Sequence, residues 1–349
     1  MYVRDLALEL KSRGHEPIIY TCAVGTVAQE LQDSGIFVTR DLRRVRTAPD
    51  LIHGHHWLAT FRAVRHFSAV PAIYICHHHL SVEDRALIAP QIRRYFGVSQ
   101  LCMTRLAKDG ISPERIKPLY NFVDLRRFVA RAAGLPVYPQ RALVFSNYAQ
   151  AETHLPAVQE ACRQASIQLD VVGLSAGNPV SHPEKILGQY DLVFAKAKAA
   201  MEAMACGAAV ILCDSSGVGP LVTSANFDRL RPMNFGFEAL TEPLIPTAIL
   251  RQIERYDRDD AVRVCARLRS TASLESAVTG LCDVYEEIIS STPVSAEVPS
   301  ASRRTREMLA EAVEVTRLAL TRRWMRMPVS VRRQMKRLPG AGWLIARVR

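Results

Sequence analysis

The residues of this chain best suited to chemistry lie in one stretch, Ala195–Pro220, AKAKAAMEAMACGAAVILCDSSGVGP. A lone carboxylate, Glu202, stands inside an otherwise small and apolar helical pattern. Gly207 is expected to end that helix, because a residue without Cβ adopts the left-handed cap conformation at no steric cost. The apolar run Ala208–Cys213 then reads as a strand buried on both faces. Asp214 and the loop Ser215–Gly219 follow at the carboxyl end of that strand, where open α/β sheets bind their ligands. Glu202 is therefore read as opening a helix beside a ligand crevice, at an end that carries unpaired N–H groups and a partial positive charge.

Histidines form a second chemical signal, in His53-Gly54-His55-His56 and His77-His78-His79. Both clusters fall at strand ends, so they could converge on a metal ion. However, no Cys, Asp or Glu stands at helical i, i+4 spacing with them. Adjacent imidazoles on a strand also face opposite ways. Neither a metal nor a cofactor is expected. A dinucleotide-dependent dehydrogenase would need GxGxxG after a first strand, and the sequence has none.

The elements that must position these residues come in two runs of strand–helix alternation, the mark of βαβ units and parallel sheets. The first run takes in strands at 18–21, 36–38, 51–52, 71–76, 95–99 and 116–119, with Ser99 as a helix N-cap. The pattern restarts after the Gly/Pro-rich link 134–139. Strands are then expected at 143–146, 169–173, 192–195 and 208–213, with helices at 155–165, 199–206, 247–256, 259–270 and 274–289. This gives an N-terminal domain over 1–133, a C-terminal domain over 134–289, a Ser/Pro/Ala-rich linker over 290–302 and a tail over 303–349. No apolar run reaches the roughly 18 residues of a membrane-spanning helix. The eight cysteines contain no CxxC pair and are read as reduced and mostly buried, as in a cytoplasmic protein.

The net charge of +11 sits almost wholly in the tail. Residues 303–349 hold thirteen Lys and Arg against Glu307, Glu311 and Glu314, which is +10. A basic tail on a near-neutral body gives no support for nucleic-acid binding by the folded part.

Several segments, in order, resemble the family 4 (group 1) type of GT-B glycosyltransferase. They are YVRDLALELKSRGHEPIIYT, PDLIHGHH, PAIYICHH, FGVSQLCMTRLAKDGISPERIKPLYNFVDLRRF and the Glu202 block. The likeness covers residues 1–289. It implies an α/β chain of two facing Rossmann-like domains with a cleft between them, and retaining transfer of a sugar from a nucleotide diphosphate donor to an acceptor. It further implies that Glu202 bonds the ribose hydroxyls, since a carboxylate accepts two charge-assisted hydrogen bonds from a vicinal diol. His77 would contact the donor sugar or its departing phosphate. Gly217, Val218 and Gly219 would bring backbone N–H groups to the phosphates. Asn121 and Asp124 match the crossover between domains and are read structurally, as a turn with an Asx bond.

Three features depart from the family. The chain begins at the family's first helix, without the usual first strand and its Gly-Gly loop. Phe194 stands where the first acid of an E-x7-E pair would be. The basic residues that follow the second domain's first strand are replaced by SNYAQAETHLP. Lys196 and Lys198 are then the nearest lysines for the diphosphate, unless they are simply solvated. A catalytically degenerate binding or scaffold protein is the alternative reading. In the tail, 302–327 places Met308, Leu309, Ala312, Val315, Ala319 and Trp324 near helical spacing among arginines, and 331–349 adds a second basic segment. Such a tail suits an anionic bilayer surface at the inner membrane face. Docking on the N-terminal domain is the other option, as is a charged helix in solvent.

Overall fold

The structure is a computed structural model and describes residues 2–291 and 301–326. In the first unit, β3 (Ile52–Gly54), β4 (Ala72–Cys76), β5 (Ile92–Gly97) and β6 (Ile116–Pro118) form a parallel sheet in that order. All five residues of β4, AIYIC, are buried, as a strand covered on both faces requires. β1 (Ile18–Tyr20) and β2 (Phe37–Thr39) make a separate parallel pair. Helix α1 (Tyr2–Ser12) packs against both bodies, Leu6 in the core of the larger sheet and Ala7 in the small cluster with Leu31, Ile36 and Val38. The first unit thus holds two separate sheets, bridged by α1.

In the second unit, five strands lie in the order β11-β10-β9-β7-β8: β7 (Arg141–Phe145), β8 (Gln168–Val172), β9 (Leu192–Ala195), β10 (Ala209–Asp214) and β11 (Gly217–Leu221). The first four are mutually parallel, and β11 runs antiparallel to β10. Two sheets with separate cores bear out the expected pair of α/β units.

The domain limits need correction. Val123 and Phe128 already belong to the core of the second unit, so that unit begins before 134. Helix α10 (Leu274–Ser290) belongs to the first unit, because its Leu274, Val278, Leu281 and Ile288 complete that core. The chain crosses between the units twice, and the crossings are bonded together. Val123 N donates to Ala272 O at 2.8 Å and Leu274 N to Val123 O at 2.8 Å. Helical periodicity shows that α10 has an apolar face but not which sheet receives it.

Helix α11 (Ala301–Arg326) docks on the first unit. Glu311 accepts from Arg62 at 2.7 Å and from Arg65 at 3.0 Å, and Glu314 pairs with Arg85 at 3.0 Å. Leu318 is buried. Of the tail's expected surface, Met308, Leu309, Ala312, Val315 and Ala319 are exposed, as is Val313 beside them, while the Trp324 side chain and 331–349 lie outside the described residues. Among those residues no helix is long and apolar enough to cross a membrane. All eight cysteines are free, six of them buried.

Candidate functional site

Helix α6 (Ala197–Ala205) carries the central carboxylate. Its sequence, AKAAMEAMA, is rich in alanine, the strongest helix former, and Gly207 ends it at φ +86°. Glu202 lies in the second turn, not at the helix start, so the unpaired N–H groups of the first turn do not serve it. The residue is 6% exposed. Burial pushes its pKa up to about 7, Lys198 acting against that shift and Asp5 with it. Lys198 Nζ stands 3.9 Å from Glu202 Oε1.

Lys198 is not solvated. It pairs with Asp5 Oδ2 at 3.0 Å, donates to Phe122 O at 3.0 Å and lies 5.1 Å from the centre of the Phe122 ring. Asp5, 2% exposed on α1, also holds Arg127 at 3.2 Å, and Arg127 in turn holds Glu184 at 3.0 Å. This network ties the first unit, the crossover and the second unit together beside Glu202. Lys196 pairs with Asp214 instead. Burial disfavours the Asp214 carboxylate, yet the Lys196 ammonium and the Ser215 amide hold it below its usual range. Between the two lysines Ala197 has φ +51°, a conformation that residues with a Cβ rarely adopt. Its amide is fixed to Phe235 O at 2.8 Å. Strain of this kind persists where surrounding structure enforces it, and such places are often functional.

Gly217, Val218 and Gly219 are strand residues of β11 and not the expected loop. The turn is confined to Ser215 and Ser216. Val218 N donates to Glu242 O at 3.0 Å and its carbonyl accepts from Glu242 N at 2.9 Å, so this amide is already taken. A Cβ at Gly219 would come within 2.6 Å of Ala239 O. The glycine therefore answers to the chain's own backbone.

The histidines converge, as strand-end placement allowed. His55 Nδ1 and His77 Nε2 are 2.8 Å apart and their rings stack at 5.1 Å. His53 stacks on His55 at 4.6 Å, and its Nδ1 meets the Tyr285 hydroxyl of α10 at 2.5 Å. Desolvation lowers the pKa of His53 and of His77 to about 3, and that of His55 well below its ordinary value. All three are neutral imidazoles near pH 7. The Asp84 carboxylate accepts from His77 N at 2.8 Å and fixes its backbone. Tyr2 closes the cluster, 4.8 Å from His77 and 4.6 Å from Phe122. The other two histidines of the triplet do different work. His78 Nδ1 accepts from Leu80 N and Ser81 N, and His79 packs on Phe237 of the second unit. Among the described residues no group of three or more His, Cys, Asp and Glu is arranged to hold a metal ion.

Asp124 forms the expected Asx bond, its Oδ1 accepting from Arg126 N at 3.1 Å. The sequence reading missed Asp5, whose partners lie far along the chain. It also missed His154, fully buried at the start of α5 (Leu155–Gln164) with both ring nitrogens unpaired. It also read the chain as holding no GxSxG nucleophile elbow, whereas Gly173-Leu174-Ser175-Ala176-Gly177 has that spacing. An elbow needs a strand, a sharp turn and then a helix. Here β8 is followed by turns and the Gly173–Asn178 bridge, so the spacing has no such role.

Residues 1–127 match the family described as Glycosyltransferase Family 4. A search of curated proteins finds no match. Among solved structures, HepE from Anabaena in complex with UDP superposes with a TM-score of 0.59 at 15% identity, over 82% of this chain and 95% of that one. A glycosyltransferase from Rickettsia africae gives 0.59 at 15%, over 82% and 94%. Sucrose-phosphate synthase from Thermosynechococcus elongatus gives 0.58 at 14%, over 83% and 93%. At these identities the superpositions establish the fold. Residues 1–127 are thus similar to a family 4 glycosyltransferase domain, and the chain as a whole has the GT-B fold.

Proposed function

We propose that the protein transfers a sugar from a nucleotide diphosphate donor, with retention of configuration, in the cleft between α6 and the carboxyl ends of β3 and β4. The observation that carries this reading is Glu202: a buried carboxylate with a raised pKa on α6, joined to the first unit through Lys198 and Asp5. Strongly shifted carboxylates in such places mark functional sites. Glu202 accepts from the ribose hydroxyls. Lys196 and Lys198 exchange Asp214 and Asp5 for the diphosphate, each acting as a point charge. His77, neutral and desolvated, donates a hydrogen bond to the phosphate oxygen as charge develops there. The HepE complexes hold UDP and UDP-glucose, which makes UDP-glucose the first donor to test. Calorimetry should show it binding, and NMR of slow donor hydrolysis should show α-glucose released before mutarotation. β-Glucose as the first product would overturn retention.

Binding without any turnover would favour the second reading, a glycosyltransferase-like binding protein. A specific observation favours that reading: both lysines are occupied by carboxylates of the chain itself.

The tail fits an acceptor held at the inner membrane face. One side of α11 is tied to the first unit by Glu311 and Glu314, and Leu309 and Val313 stand exposed on another. Apolar side chains entering the interface and arginines meeting lipid phosphate, at about 1 kcal/mol per charge, would hold the protein to an anionic bilayer. The full chain should sediment with phosphatidylglycerol vesicles at low salt and be released at moderate salt. Leu309→Ser with Val313→Ser, which spares the docking side, should weaken sedimentation. A full chain that stays in the supernatant at low salt would end the membrane assignment.

A further inference from the structure

We propose that His55 is a positioning residue that holds His77 in the tautomer with its proton on Nδ1. The inference rests on the role given to His77 above.

Only one nitrogen of the His77 ring is committed. Nε2 faces His55 Nδ1 at 2.8 Å, while the main-chain amide of His77 is taken by Asp84. Nδ1 is left for a ligand. Two neutral imidazoles in contact share one proton, so one ring donates and the other accepts. If His77 Nε2–H were the donor, its Nδ1 would be a bare acceptor and would repel a phosphate oxygen. If His55 Nδ1–H donates, His77 must carry its own proton on Nδ1 and can give a hydrogen bond to that oxygen. The role of His77 therefore selects the second arrangement, and His55 is the group that enforces it.

The rest of the cluster holds His55 to this task. His53 stacks on it at 4.6 Å with the rings 18° from parallel, and Tyr285 fixes His53 from α10. His53 and His55 lie on one face of the chain because side chains alternate along a strand. The relay thus runs from α10, which the first unit receives from the far end of the chain, through β3 to the end of β4. Desolvation keeps every ring in it neutral. Neutrality is needed, since an imidazolium donates from both nitrogens and has no tautomer to set.

Substitutions at 55 separate positioning from packing. In His55→Asn the side-chain amide nitrogen is bonded to Cγ, as Nδ1 is, so the donor survives. In His55→Asp only acceptors remain, and His77 must donate from Nε2. Imidazole 15N spectra at pH 8 report the tautomer directly. The wild type and His55→Asn should show His77 protonated on Nδ1, His55→Asp on Nε2, and His55→Ala a mixture. Donor turnover should fall about 10²-fold in His55→Asp, the lower range for a lost acid–base contribution, with the donor KM unchanged, and His55→Asn should restore it. An unchanged His77 tautomer across the four proteins overturns the inference. A tautomer that switches while turnover holds supports the positioning and removes His77 from the chemistry, which separates the two ideas.

Discussion

Replacing Glu202 with glutamine should make the protein more stable and a poorer binder of its donor. The carboxyl has a pKa of about 7 in the fold against 4.5 for the ordinary group. Between those values the folded state binds more protons than the unfolded chain, so stability falls as pH rises through this window and is level above it. The difference corresponds to about 3 kcal/mol at pH 8, at 1.36 kcal/mol per pKa unit. Glu202→Gln keeps the shape and removes the ionisation. Its denaturation midpoint should exceed that of the wild type at pH 8, match it near pH 4, and lose the slope between. Ribose hydroxyls donating to the carboxylate favour its charged form, so donor affinity of the wild type should rise with pH through 7. The glutamine variant should lose that dependence and bind about tenfold to a hundredfold more weakly, since hydrogen bonds to a charged group contribute about 1.5–3 kcal/mol. Equal affinity by calorimetry at pH 8 would remove Glu202 from the donor site. A wild type with no pH slope in stability would show that the carboxyl titrates normally.

The second large effect is expected at Asp5. This carboxylate is 2% exposed and faces Arg127 and Lys198, whose side chains are 19% and 17% exposed. Removing one member of a buried ion pair leaves uncompensated charge and costs about 3–5 kcal/mol. Asp5→Ala should fall near the lower figure, because Arg127 keeps Glu184 and Lys198 can turn to Glu202. That turn has its own signature. With the Asp5 charge gone and Lys198 free, the pKa of Glu202 should drop, and stability should become less sensitive to pH between 4.5 and 7. Urea unfolding at pH 5 and pH 8 reads both effects. An unchanged midpoint at both pH values would mean that Asp5 does not anchor the two units.

These two residues also show what local sequence conveys. The Ala-rich run, the stop at Gly207 and the apolar run after it are short-range signals, and the structure forms α6, the φ +86° cap and β10 from them. The Ser99 cap, accepting from Cys102 N, and the Asx bond of Asp124 are equally local and equally legible. Turn chemistry was less so. Ser215 to Gly219 contains residues that favour loops, but pairing with β10 and with Glu242 draws Gly217–Leu221 into a strand.

The sequence by itself determined that this protein has two α/β units, that a carboxylate stands on a helix at the carboxyl edge of the second, and that histidines end two strands of the first. Hydrophobic periodicity and helix capping act over a few residues, so composition and spacing are enough to display them. Tertiary structure alone decided what those groups face. It set Lys198 against Asp5, took α10 into the first core, stacked His55 on His77, and seated α11 through Glu311 and Glu314. Each is a contact between segments far apart in the chain, fixed by how the units close. The raised pKa of Glu202 belongs with them, because burial and an opposing acid from another helix produce it, and neither is a property of the residues beside it in sequence.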